Sequence, residues 1–204
     1  MTVRFSIFTL FPEMFTAPFA ESILRRAIDA GKVHIDVYDL RTWTHDRHRT
    51  ADDRPYGGGA GLVLMAPPIV DGVEATLAGR PARVLITNAG GRTFDQRFAE
   101  ELRDEEEVVL ICGHYEGIDA RVNELLDAEE VSIGNYVLTG GELPAMVIVD
   151  AAFMPQLDAI GDEDDPVANG YVRLMEHNAR LFANALSEAR GLSLIHISEH
   201  TRPY

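Results

Sequence analysis

The sequence predicts an α/β domain built on a mainly parallel sheet flanked by helices. Strand-like and helix-like periodicities alternate from the N-terminus to about residue 150, the grammar of βαβ units. The run "VVLIC" has no polar position, as expected of a strand covered on both faces. Glycines recur where successive strand-like runs stop, so open backbone would gather beyond one edge of the sheet, where ligands of such folds sit.

"TVRFSIFTL" alternates in character, placing Val3, Phe5 and Ile7 on one face of a first strand. "PEMFTAPFAESILRRAIDAG" then reads as one helix closed by Gly31, and "KVHIDVYDL" as the second strand. The polar stretch Thr44 to Gly61, "THDRHRTADDRPYGGGAG", has neither periodicity. After it come the apolar run "LVLMAPP", a short helix in "IVDGVEATLAG", a strand in "ARVLITN", an amphipathic helix in "TFDQRFAEELRDEE" and the strand "VVLIC". A helix in "IDARVNELL", a strand in "EEVSIG" and a helix in "ELPAMVIVDAA" complete the pattern, with Pro144 near the first turn of the last, where a missing N–H costs nothing. Three glycine-bearing loops are expected at strand ends: "TNAGGR" (Thr87 to Arg92), "CGHYEG" (Cys112 to Gly117) and "SIGNYVLTGGELP" (Ser132 to Pro144).

The chain of 204 residues, 46% hydrophobic and 25% charged, suffices for one sizeable core. Its formal charge of -15 would repel a polyanion, so any nucleic acid must meet a local cationic patch. The single cysteine, Cys112, excludes an internal disulfide framework and a multi-cysteine zinc site, and its place at the end of an apolar run reads as a buried thiol. Neither a cleavable leader nor an apolar run near twenty residues is found, which predicts a soluble cytoplasmic protein without a membrane partner. "GHYEG" is not a dinucleotide fingerprint and no Gly-Lys-Ser/Thr occurs, so the loops suit a flat base read by backbone groups better than a triphosphate. His45 and His48 lack a third soft ligand, so no metal is expected.

Four motifs, "LFPEMF", "THDRHRTADDRPYGGGAG", "CGHYEGIDARV" and "SIGNYVLTGGELPA", together resemble the bacterial tRNA (guanine-N1)-methyltransferases of the SPOUT superfamily, over about residues 4 to 150. The resemblance implies transfer of a methyl group from S-adenosyl-L-methionine to N1 of the guanosine 3′ to the anticodon in tRNA. It also implies a deep trefoil knot in the second half of the domain and a homodimer with its active site at the interface. By the same resemblance Gly113, Ile133, Gly134, Asn135, Tyr136, Val137 and Leu138 line the cofactor pocket, with Thr87, Gly140, Gly141 and Pro144 close by; Ile133 and Leu138 could equally serve as core. Glu116 is the catalytic candidate, its carboxylate facing the N1–H and N2–H₂ edge of the target guanine. His114 stands where relatives often have Arg, which would reduce the charge offered to RNA at neutral pH.

The RNA-binding candidates are His45, Arg47, His48, Arg49, Arg54, Tyr56, Gly57, Gly58 and Gly59, with Asp46, Asp52 and Asp53 expected to hold the guanidinium forks in bidentate pairs. The competing reading of this segment has Asp and Arg pairing only with each other. At the level of function the competitor is a catalytically inert knot domain that dimerises and binds S-adenosylmethionine without methylating; a nucleotide hydrolase lacks its phosphate loop.

The domain reading is 1–153 for the methyltransferase domain and 154–204 for a divergent acidic linker and helix. Beyond Asp150 the motif register is lost: Met154 stands where the family pattern calls for Arg, and no family aspartate can be matched among Asp162, Asp164 and Asp165. The tail from about residue 191, "GLSLIHISEHTRPY", resembles translated sequencing-adapter DNA. The helical tRNA-gripping domain of the family is not expected here.

Overall fold

The computed structural model describes residues 2–55, 58 and 61–153. The readings made for residues 154–204, and for Tyr56, Gly57 and Gly59, lie outside the described residues.

Five parallel strands form the main sheet in the order β2-β1-β6-β5-β7: β1 (Val3–Thr9), β2 (Val33–Asp39), β5 (Arg83–Thr93), β6 (Glu107–Cys112) and β7 (Glu129–Ser132). β6, read as covered on both sides, is buried at every position. Alternate residues serve the two faces. Phe8, Val84, Ile86, Val109 and Ile111 join one core cluster with Ile69 and Val73 of α3 (Ala66–Leu77) and Val122 of α5 (Arg121–Leu126). On the other face α6 (Glu142–Phe153) packs against β6 and against α4 (Gln96–Arg103). Burying an aliphatic side chain contributes about 1.5–3 kcal/mol, so these two layers hold the sheet.

Two buried carboxylates interrupt the apolar interior, and each has partners. Glu107 accepts from the Ser6 hydroxyl at 2.9 Å and pairs with Arg80 at 3.2 Å. Glu142 accepts from the Thr9 hydroxyl at 2.8 Å, which ties the start of α6 to the end of β1. Among the described residues no helix is long and apolar enough to cross a membrane.

Two expectations about elements are corrected. The single helix expected between Pro12 and Gly31 is divided into a 3₁₀ turn (Pro12–Phe15), α1 (Thr16–Phe19) and α2 (Ser22–Asp29). Pro18 cannot donate to the helical ladder, and Ser22 turns the chain at a φ of 59°. The segment Thr87 to Arg92, expected as a loop, lies within β5, whose register with β7 shifts between Thr87 and Arg92. Asn88 closes the resulting bulge, accepting from the Gly90 N–H at 3.0 Å and donating to Glu130 at 2.9 Å. Gly91 then crosses β7 so closely that an added Cβ would overlap the Glu130 and Val131 backbone.

Candidate active site

The sheet order sets the ends of β6 and β7 on either side of β5 at the level of its bulge, so the segments leaving them meet there. Thr87 stands in the middle, paired with Cys112 on one side and Val131 on the other. Its hydroxyl donates to the Ile111 carbonyl and accepts from the Gly113 N–H, both at 3.2 Å. The chain returns across this point in the segment Thr139 to Gly141: the Gly141 N–H donates to the Gly113 carbonyl at 2.7 Å, and His114 bridges to Gly140. A Cβ on Gly141 would lie 2.7 Å from the Gly113 nitrogen and 2.8 Å from the Cys112 Cα, so only glycine permits the approach.

Around this crossing lies a cleft of about 300 Å³. Of the residues predicted to hold a cofactor, Thr87, Gly113, Ile133, Gly134, Tyr136, Val137, Leu138, Gly140, Gly141 and Pro144 line it, and Asn135 does not. Asn88 and Ala89, in the glycine-bearing segment Thr87 to Arg92, also line it; so do Ile86, Ile118, Glu130 and Val131, which had no sequence signal because they are ordinary strand and helix-approach residues until the bulge and register bring them to the rim. The turn after β7 is set by Ser132, whose hydroxyl donates to the Gly134 carbonyl at 2.9 Å; Tyr136 N–H donates to the same carbonyl at 2.9 Å. Main chain stripped of side chains at the glycines, together with the apolar side chains of the lining, suits a planar, partly polar ligand.

Glu116 lines the same cleft and is exposed. Tyr115 before it adopts a left-handed φ of 60°, a conformation that costs a non-glycine residue about 1–2 kcal/mol, and backbone held this way concentrates at functional sites. His114 lies edge-on to Phe11 at 4.8 Å and stacked on Tyr115 at 5.0 Å. Its Nδ1 is buried with no hydrogen-bond partner among the described residues. Asp119 closes the loop: Arg121 beside it holds its carboxyl below the usual aspartate range. Cys112 is buried; burial, and then the Glu142 carboxylate, push its thiol well above the ordinary value, which makes it a packing residue and no nucleophile.

The cationic segment reaches this site through a hairpin. β3 (Asp52–Asp53) pairs antiparallel with β4 (Val63–Leu64), and Met65 N–H donates to the Ala51 carbonyl at 2.9 Å. β4 pairs in turn with the Glu116 loop: Glu116 N–H donates to the Leu62 carbonyl and Leu64 N–H to the Gly117 carbonyl, each at 3.0 Å. His45, Arg47, His48, Arg49, Arg54 and Gly58 are all exposed, and His45 reaches Asp71 of α3 at 3.3 Å. The expected bidentate pairing is corrected, since no ion pair joins Arg47, Arg49 or Arg54 to Asp46, Asp52 or Asp53 among the described residues. Asp46 instead accepts from the His48 N–H at 3.1 Å and from the Thr50 N–H and hydroxyl, each at 2.7 Å. A short carboxylate in a turn meets local donors first. The Thr50 bonds hold the Asp46 carboxyl below its usual value, and Arg49 sits at a left-handed φ of 54°.

Residues 3–177 match the family model described as tRNA (Guanine-1)-methyltransferase TrmD, so the match runs on past Asp150, where the motif register is lost. The tRNA (guanine-N(1)-)-methyltransferase of Citrifermentans bemidjiense is 46% identical over 180 residues, 86% of this chain and 72% of the relative. The protein of the same name from Chloroflexus aurantiacus is 53% identical over 151 residues, 73% of this chain and 60% of the relative. The fold is similar to the crystal structure of tRNA (m1G37) methyltransferase from Aquifex aeolicus, with a TM-score of 0.68, 35% identity, and coverage of 74% of this chain and 69% of that one.

Proposed function

The chain belongs to the tRNA (guanine-1)-methyltransferase family, and from that premise we propose how its cleft carries out methyl transfer to tRNA. The donor is S-adenosyl-L-methionine, seated among Gly113, Gly134, Tyr136, Leu138 and Gly140; the acceptor is N1 of the guanosine 3′ to the anticodon. The observation that carries this reading is the convergence of Glu116 and the Gly113–Gly141 crossing on one cleft at the ends of β6 and β7 and the bulge of β5.

The fit to that donor rests on chemistry present in the cleft. Gly113, Gly134 and Gly140 put main chain without side chains at the cleft lining, so a flat adenine can lie close against it, while Ile86, Ile118 and Val137 offer apolar contact. When bound, the donor supplies an electrophilic methyl carbon on a sulfonium. The protein's own task is to hold the acceptor nitrogen in line, and alignment of this kind is worth about 7–11 kcal/mol of barrier. The Glu116 carboxylate accepts from the N1–H and N2–H₂ donors of guanine, orienting the ring, and takes up the N1 proton as the N1–C bond forms and the donor's S–C bond breaks to leave a thioether. Arg47, Arg49 and Arg54, exposed and without carboxylate partners among those three aspartates, are free to meet phosphates.

We read the active unit as a homodimer. Val137 in the cleft lining and Leu143 and Val147 on α6 are exposed apolar side chains, the kind of surface that a second copy of the chain would cover. The knot implied by resemblance belongs to the same reading.

Glu116→Gln is the test. Tritium-methyl transfer to tRNA is expected to fall by about 10²-fold or more, with calorimetric affinity for S-adenosylmethionine within about twofold of the parent. Undiminished transfer removes Glu116 from the chemistry. A parent protein that binds the cofactor and transfers nothing would restore the inert-domain reading.

A further inference from the structure

We propose that Gly61 is a positioning residue for the methyl transfer, its missing side chain forming the seat on which the Glu116 carboxylate rests. This deepens the role given to Glu116 above and rests on it. A Cβ on Gly61 would overlap the Glu116 Cγ and stand 2.8 Å from its Oε1 and 2.9 Å from its Cδ. The Glu116 side chain therefore lies across the open Cα of Gly61. The adjoining backbone fixes the pair, since the Glu116 N–H donates to the Leu62 carbonyl at 3.0 Å.

Among the described residues no hydrogen bond or ion pair restrains that carboxylate, so its direction depends on this contact and on the strained Tyr115 before it. Gly61 also ends the loop that β3 and β4 close, and β3 adjoins the arginine-bearing segment. The seat thus joins the surface that would meet the tRNA backbone to the group that would meet the base.

Substitution separates steric displacement from backbone strain. Gly61 has a φ of +93° and Gly79, after α3, a φ of +83° with open space around it, so Gly79→Ala carries comparable backbone strain and displaces nothing. Glu116 is a flexible side chain, so Gly61→Ala is expected to fold and to push the carboxylate aside. In single-turnover methyl transfer, Gly61→Ala should lose about 10- to 100-fold, since small misplacements at a reacting centre cost this much, while its calorimetric affinity for S-adenosylmethionine stays within about twofold. Gly79→Ala should stay within about threefold of the parent.

The decisive readout is the double-mutant cycle with Glu116→Ala, which removes the Cγ that a new Cβ would strike. In that background Gly61→Ala should cost less than about twofold in transfer rate, and its thermal midpoint should drop by no more than that of Gly79→Ala. If Gly61→Ala alone fails to fold, the double variant should recover the fold. Equal losses in both backgrounds, or an unfolded double variant, overturn the seat. Full activity in Glu116→Ala itself overturns the role of Glu116 instead, and in that case the thermal cycle still decides whether the two residues touch.

Discussion

Asp46 illustrates how a single side chain can be misjudged from composition. Surrounded by Arg47, Arg49 and Arg54, it reads as an ion-pair partner, yet its two oxygens take three donors from His48 and Thr50. A sequence lists neighbours in the chain and is silent on which donors a turn aims inward. The consequence is testable by pH. The side-chain bond from Thr50 is the leading cause that lowers the Asp46 pKa below its usual 3.8, so the stabilisation is present above the unfolded value and lost as pH falls through the folded one. Asp46→Asn should therefore flatten the acid limb of a denaturant-midpoint profile below about pH 4. Because hydrogen bonds and not ion pairs set the shift, added salt should leave this difference in place. Parent and variant profiles that run parallel below that pH would refute it.

At the level of elements, the alternation of strands and helices was legible because both periodicities are local. The uninterrupted apolar run of β6 foretold its burial, and the glycines of Cys112–Gly117 and Ser132–Pro144 foretold the cleft edge. The bulge of β5 was not legible: Arg92 and Thr87 both align with Val131, a register that depends on β7, far along the chain. The β3–β4 hairpin was hidden for a similar reason, as each strand is two residues long and is held by the Glu116 loop. Close crossings make the sharpest demand on an element. The Cα of Gly141 lies against the Thr87 hydroxyl and against the Gly113 and Cys112 backbone at the end of β6, so no rotamer can relieve a new methyl there. Gly141→Ala should destabilise the domain by about 1–3 kcal/mol, the usual cost of overpacking, and should abolish calorimetric cofactor binding. A variant with parental melting temperature and affinity would mean that the crossing yields.

The molecule as a whole has to reconcile a formal charge of -15 with a polyanionic substrate. Long-range attraction cannot supply the affinity, because the summed field of the protein opposes tRNA. Local contact must, and the exposed arginines at 47, 49 and 54 flank β3 of the hairpin that leads to Glu116. Each phosphate neutralised releases counterions and adds about −0.7 to −0.9 to the slope of log K against log salt. Three such contacts set the segment's share at roughly −2 to −3. Filter-binding titrations across a salt series should show Arg47→Ala, Arg49→Ala and Arg54→Ala each reducing the slope by about one, with cofactor affinity unchanged since none of the three lines the cleft. The acidic bulk should also make binding weak for the area in contact and strongly favoured by low salt. If the triple variant keeps the parental slope, the tRNA is gripped elsewhere, and the hairpin serves Glu116 alone.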